Sequence, residues 1–125
     1  MSKKVLIVDD EPNIVAALEF LLEKNGYEVK VAVNGVDALE QLDAFRPDLV
    51  LLDVMVPRLS GYEVCQRMRT EPRWQAIKIV MLSAKGREVE VSKGMSLGAD
   101  LYVTKPFSSA ELVATIHNLL RPQGA

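Results

Sequence analysis

Three apolar runs in this chain stop at charged residues. Val5-Leu6-Ile7-Val8 leads into Asp9-Asp10, Leu49-Val50-Leu51-Leu52 into Asp53, and Leu101-Tyr102-Val103 towards Lys105. Apolar runs without polar alternation mark strands covered on both faces, the condition of inner strands in a parallel sheet. Parallel strands all end on one edge, and ligands bind outside that edge. Residues far apart in the sequence therefore meet. Carboxylates brought together repel one another unless a cation sits among them, and oxygen-rich sites of this kind suit Mg²⁺.

Helix signals fill the gaps between the strands. Pro12 suits a first helical turn, and Ile14, Val15, Leu18, Leu21 and Leu22 form an apolar stripe behind it. Asn25-Gly26 ends that helix, the glycine taking a left-handed conformation. Tyr27, Val29, Val31 and Val33 alternate with Glu28, Lys30 and Ala32, as in an edge strand with one side in water. Asn34-Gly35 opens a second helix carrying Ala38, Leu39, Leu42 and Phe45, stopped near Arg46-Pro47. A loop from Val54 to Ser60 follows the third strand. The third helix then uses Gly61, Val64, Cys65 and Met68, and the polar segment from Thr70 to Gln75 ends it. Ile77 to Leu82 is the fourth strand, closed by Ser83-Ala84. Glu88-Val89-Glu90-Val91 alternates like a strand, but its place between two strands and the Gly98 stop argue for a helix. The last helix has Ser108 or Ser109 as its cap, Glu111 in its first turn, and Leu112, Val113, Ile116, Leu119 and Leu120 on one face.

Strands one, three and four are wholly apolar, and two and five are mixed. That fits an α/β fold: a doubly wound, five-stranded parallel sheet with 1, 3 and 4 inside, in the order 2-1-3-4-5, and five helices on its two faces. The chain reverses direction between strands one and three, where a crevice opens beside Asp10 and Asp53. Residues 1–121 are expected to form one domain and 122–125 a tail or linker stump. Of the 125 residues, 49% are hydrophobic and 26% charged, an ordinary globular mixture. A net charge of −2 invites neither nucleic acid nor an anionic membrane. No apolar stretch approaches the ~20 residues that span a bilayer, and no apolar signal segment precedes the first strand. Cys65 is the single cysteine, so no intrachain disulfide forms, which fits a reducing cytosol. Its helical spacing with Val64 and Met68 makes it a core thiol rather than a nucleophile.

Val8-Asp9-Asp10-Glu11, Leu51-Leu52-Asp53 with Met55-Val56-Pro57 and Gly61 behind it, Ser83-Ala84, and Tyr102 followed by Thr104-Lys105-Pro106-Phe107 together resemble the receiver domain of bacterial response regulators. The resemblance covers essentially the whole chain, and it implies the flavodoxin-like 2-1-3-4-5 order, shared by flavodoxin and the chemotaxis receiver. It implies that Asp53 accepts a phosphoryl group from the phosphohistidine of a sensor histidine kinase or phosphotransfer protein in the cytoplasm. Mg²⁺, with Mn²⁺ as the alternative, would be held by Asp10, Asp53 and the main-chain carbonyl of Met55, with Asp9 acting through water. Lys105 would bring positive charge to the transferring oxygens, and Ser83 would hydrogen-bond one of them. Tyr102 would swing inward behind Ser83 and remodel the face of helix four, strand five and helix five, where Val91 and Met95 also lie. That face would serve a receiver–receiver dimer or an output domain, with no direct contact to nucleic acid or membrane. The Lys105–Pro106 peptide is typically cis in this family. Met55 and Lys85 occupy the two variable positions that tune hydrolysis of the acyl phosphate. Such a protein is a signalling phosphoacceptor rather than an enzyme, catalysing only its own phosphorylation and slow dephosphorylation.

Each residue also has a plainer reading. Taken singly, Asp9-Asp10 could be a solvated turn, Asp53 a cap, Lys105 a loop lysine, Ser83 a turn hydroxyl and Tyr102 an edge aromatic. Glu11 reads as a first-turn acid favouring the helix dipole, His117 as a partly exposed surface residue and Trp74 as local packing in a polar loop. Two alternatives for the whole chain are a small hydrolase with an aspartyl-phosphate intermediate and a receiver-shaped scaffold that is never phosphorylated. The hydrolase class typically separates its two acids by one residue, whereas here they are adjacent. A flavin site would need a phosphate-cradling loop after strand one, and Asp9-Asp10-Glu11-Pro12 would repel that phosphate.

Overall fold

Parallel pairing runs through every strand of the sheet in the computed structural model, which describes residues 3–83 and 88–121, and only the backbone of 88–90. The strands are β1 (Lys4–Val8), β2 (Glu28–Ala32), β3 (Leu49–Asp53), β4 (Lys78–Ser83) and β5 (Leu101–Thr104). Helices α1 (Pro12–Lys24), α2 (Gly35–Ala44), α3 (Gly61–Thr70), α4 (Glu88–Ser96) and α5 (Ser109–Leu120) connect or follow them. The order across the sheet is β2-β1-β3-β4-β5, with the three apolar strands inside and the two mixed strands at the edges. Ala84, Lys85 and the tail at 122–125 lie outside the described residues.

Strand side chains alternate between two cores. Leu6, Val8, Val50, Leu52, Ile79 and Met81 face one way, against Ala38 and Leu42 of α2 and Val64, Cys65 and Met68 of α3. Val5, Ile7, Leu49, Leu51, Val80 and Leu82 face the other way, against Leu18 and Leu22 of α1 and Leu112 and Ile116 of α5. Burial of one such side chain stabilises the fold by roughly 1.5–3 kcal/mol. Edge strand β2 alternates as expected, with Glu28 and Lys30 exposed. It stops at Ala32, however, and Val33 is exposed beyond it.

Local signals set the helix ends. Pro12 occupies the first turn of α1, and Gly26 behind it has φ +90. Asn34 caps α2, Ser60 and Glu63 form a reciprocal capping box on α3, and Ser108, rather than Ser109, caps α5. The alternating Glu88-Val89-Glu90-Val91 segment is helical. The polar segment after α3 holds an unexpected 3-10 turn, Pro72–Trp74. Long-range pairing explains it: Arg73 and the Trp74 indole N–H both bond Asp43 of α2.

Arg69 holds the far end of β4 to the α4–β5 connection. Its guanidinium donates to the carbonyls of Gly98, Gln75 and Ile77 and to Asp100 Oδ2 at 2.9 Å. Asp100 in turn accepts the Ile79 N–H.

Gly61 is the tightest joint between fold and site. A Cβ there would collide with the Asp53 carbonyl oxygen and lie 2.8 Å from Val54 Cα. Gly-to-Ala in a helix ordinarily stabilises by roughly 1 kcal/mol. Gly61→Ala is expected to lower the melting temperature instead, because the end of β3 must move. A rise in melting temperature would contradict this packing.

Candidate functional site

Strand register brings the site residues level with one another. Val8 pairs with Leu52, Asp53 with Leu82, and Ser83 with Thr104. Asp9 follows Val8 directly, so it stands beside Asp53, with Ser83 at the end of β4 and Lys105 just past β5. Asp9 and Asp53 are 0% and 3% exposed, and Ser83 is 1% exposed. These are the buried polar residues among those described, and all three lie on this edge.

The Lys105 ammonium sits among three carboxylates: Asp9 Oδ2 at 3.2 Å, Glu11 Oε1 at 3.4 Å and Asp53 Oδ2 at 3.6 Å. Backbone bonds hold the pieces in place. The Lys105 N–H donates to the Ser83 carbonyl at 2.8 Å, the Met55 N–H to Asp53 Oδ1 at 3.3 Å, and the Glu11 N–H to Asp9 Oδ1 at 2.9 Å. The Lys105–Pro106 peptide is cis. Asp10 is exposed, yet one carboxylate oxygen from each of Asp9, Asp10 and Asp53 lies within 4.8 Å of the others.

Negative charge is in excess here. Burial pushes the Asp53 carboxyl above the ordinary carboxylate range, and the Asp9 charge pushes it further. Lys105 and the Met55 N–H pull it back without cancelling the rise. Burial by itself would lower the Lys105 ammonium, but attraction to Asp53, Asp9 and Glu11 outweighs it and holds the group above its ordinary value. An all-carboxylate donor set with unrelieved repulsion, open to solvent on the Asp10 side, fits a hard divalent cation such as Mg²⁺.

Glu11 departs from the sequence reading. It is the N-cap of α1 rather than a first-turn acid, its side chain makes no capping bond, and it reaches Lys105 instead. The signal available for this was only its adjacency to Asp9-Asp10. Met55 is exposed at the rim. On the neighbouring face Met95 is exposed and Val91 and Tyr102 are half-buried. The Tyr102 ring lies close over α4, where a Cβ on Gly94 would stand 3.1 Å from it. Cys65 is buried, and burial pushes its thiol up. His117 is exposed but is held by the Tyr27 hydroxyl at 2.7 Å from Nδ1. Trp74 stacks under Arg73 at 4.5 Å. Among the described residues no helix is long and apolar enough to cross a membrane.

The profile of the response regulator receiver domain matches residues 5–117. The chain is 46% identical over 121 residues to the alkaline phosphatase synthesis transcriptional regulatory protein PhoP of Bacillus subtilis (strain 168), covering 97% of this chain and 50% of PhoP. It thus spans about half the length of that curated relative. Among solved structures, chemotaxis response regulator CheY4 of Vibrio cholerae superposes with a TM-score of 0.90 at 30% identity, covering 96% of this chain and 100% of that one. The BeF3-activated N-terminal receiver domain of Klebsiella pneumoniae RstA gives 0.90 at 31% identity, with the same coverage of 96% and 100%. The chain belongs to the response regulator receiver domain family, the phosphoacceptor domains of two-component signalling. Neither the family nor any relative named here supports the hydrolase alternative.

The charge excess has a consequence for stability. Asp53 binds its proton more tightly folded than unfolded, so the folded state holds more protons as pH rises past the ordinary value of 3.8. The contribution of Asp53 to stability is therefore fully present below that pH and is lost as pH rises through the raised folded value. Asp53→Asn removes this loss. In metal-free buffer at neutral pH the variant is expected to melt higher than wild type, with the gap closing as pH falls towards 3.8. A variant less stable at every pH would mark Asp53 as a structural group.

Proposed function

We propose that Asp53 is the phosphoacceptor. The observation that carries this reading is a buried carboxylate at the end of central strand β3, with the Lys105 ammonium 3.6 Å away and two further acids beside it. A carboxylate oxygen of Asp53 attacks the phosphorus of a phosphohistidine, the P–N bond breaks, and the imidazole leaves as its nitrogen takes up a proton. The product is an acyl phosphate on Asp53. Both reactants are anionic, so the positive charge of Lys105 lowers the cost of their approach. Mg²⁺, or Mn²⁺, held by Asp10, Asp53 and the Met55 carbonyl, with Asp9 through water, would neutralise further charge on the transferring group.

Ser83 offers a hydroxyl to a phosphoryl oxygen once that oxygen is present, and only then. A ligand shifts a conformational equilibrium through contacts that differ between the two states, and Ser83 with Lys105 supplies such contacts. Tyr102, half-buried against α4, is the element that responds. The face of α4, β5 and α5, including Val91 and Met95, then changes for a partner: a second receiver or an output domain. The donor is a sensor histidine kinase or a phosphotransfer protein in the cytoplasm. The domain's own catalysis is confined to accepting and slowly losing the phosphoryl group. The BeF3-activated state of the RstA receiver domain, which shares this fold, supports such a switch.

Acetyl phosphate with Mg²⁺ is expected to add one phosphoryl group by intact mass, labile to hydroxylamine. Asp53→Asn should abolish the addition. Ser83→Ala should still be labelled, yet leave amide exchange in Leu97 to Val103 and α5 unchanged on labelling. Undiminished labelling of Asp53→Asn would move the nucleophile to Asp9 or Asp10.

A further inference from the structure

The Lys105 ammonium has three protons, and three carboxylates stand around it at 3.2, 3.4 and 3.6 Å. Two of these contacts are hydrogen bonds, to Asp9 Oδ2 and Glu11 Oε1, while Asp53 Oδ2 is an ion-pair contact only, so the ammonium turns fully to a phosphoryl group on Asp53 as it leaves one of those two. The three are unequal. The side chains of Asp9 and Asp53 are 0% and 5% exposed, whereas that of Glu11 is 61% exposed. Releasing Asp9 would leave a buried carboxylate short of a partner, which is costly. Releasing Glu11 hands its carboxylate to water.

Glu11 is also built to reach the lysine. Its backbone N–H is anchored by Asp9 Oδ1 at 2.9 Å, and its side chain makes no capping bond to α1. Building on the reading of Asp53 as phosphoacceptor, we propose that Glu11 is a positioning residue that parks Lys105 in the unphosphorylated protein and is exchanged for a phosphoryl oxygen on activation. It touches neither the phosphorus nor the attacking oxygen. It acts by setting how readily Lys105 can turn to the phosphoryl group.

The test is beryllofluoride binding at saturating Mg²⁺, followed by NMR titration, in wild type, Glu11→Gln, Lys105→Ala and the double variant. Glu11→Gln is expected to tighten binding about two- to fivefold, the range an exposed ion pair allows. In the Lys105→Ala background the same substitution should bring no tightening. In metal-free protein, Glu11→Gln should also speed hydrogen exchange of the Lys105 ammonium. Unchanged or weaker binding by Glu11→Gln would overturn the proposal. Equal tightening in both backgrounds would overturn it too, since it would reduce Glu11 to a general charge at the mouth. Wild type that takes up no beryllofluoride would overturn the phosphoacceptor reading itself, and this inference with it.

Discussion

The pairing of one lysine with buried carboxylates at the ends of β1 and β3 is the constraint on which the site depends. Lys105 stands 3.2 Å from Asp9 and 3.6 Å from Asp53. One ammonium does not neutralise Asp9, Asp10, Glu11 and Asp53 together, and burial keeps Asp53 strained towards its protonated form. That residual repulsion is useful chemistry. It makes the cluster receptive to a dication, which would relieve the charge on Asp53.

The fold holds those charges at a fixed spacing. Asp9 and Asp53 are level because Val8 pairs with Leu52. Lys105 is held across from them because its own N–H bonds the Ser83 carbonyl at the end of β4. A register slip of one residue would turn each side chain to the other face. The apolar runs before each site residue prevent that slip, since every residue of those runs in β1, β3 and β4 is buried in one of two opposed cores. Gly61 lets α3 start directly against the backbone of Asp53. Core packing and site geometry are thus the same set of contacts seen from two sides.

Much of this was legible in the sequence. Four-residue apolar runs such as Leu49 to Leu52 signal doubly covered strands without any tertiary information, and the acids that follow them mark the functional edge. Caps such as Asn34, Ser60 and Ser108 are local and equally readable. What could not be read depends on partners distant in the chain. The 3-10 turn at Pro72–Trp74 is secured by Asp43 of α2. Arg69 gains its meaning only when Gly98 and Asp100 arrive beside it. Asp9 and Asp10 look equivalent in sequence, and only the sheet buries the first and leaves the second exposed. Glu11 reads as a helix-dipole acid, because its adjacency to Asp9-Asp10 alone does not reveal that Lys105 lies within reach.

The most direct test of the charge account is the Mg²⁺ dependence of stability, measured by thermal melts from metal-free buffer into the millimolar range. Binding to the folded state alone stabilises by RT ln(1 + [Mg²⁺]/Kd), about 2.7 kcal/mol at one hundred times Kd. The melting temperature is expected to climb with Mg²⁺ in wild type, with the climb largely lost in Asp10→Asn. A melting temperature indifferent to Mg²⁺ throughout that range would contradict the charge account.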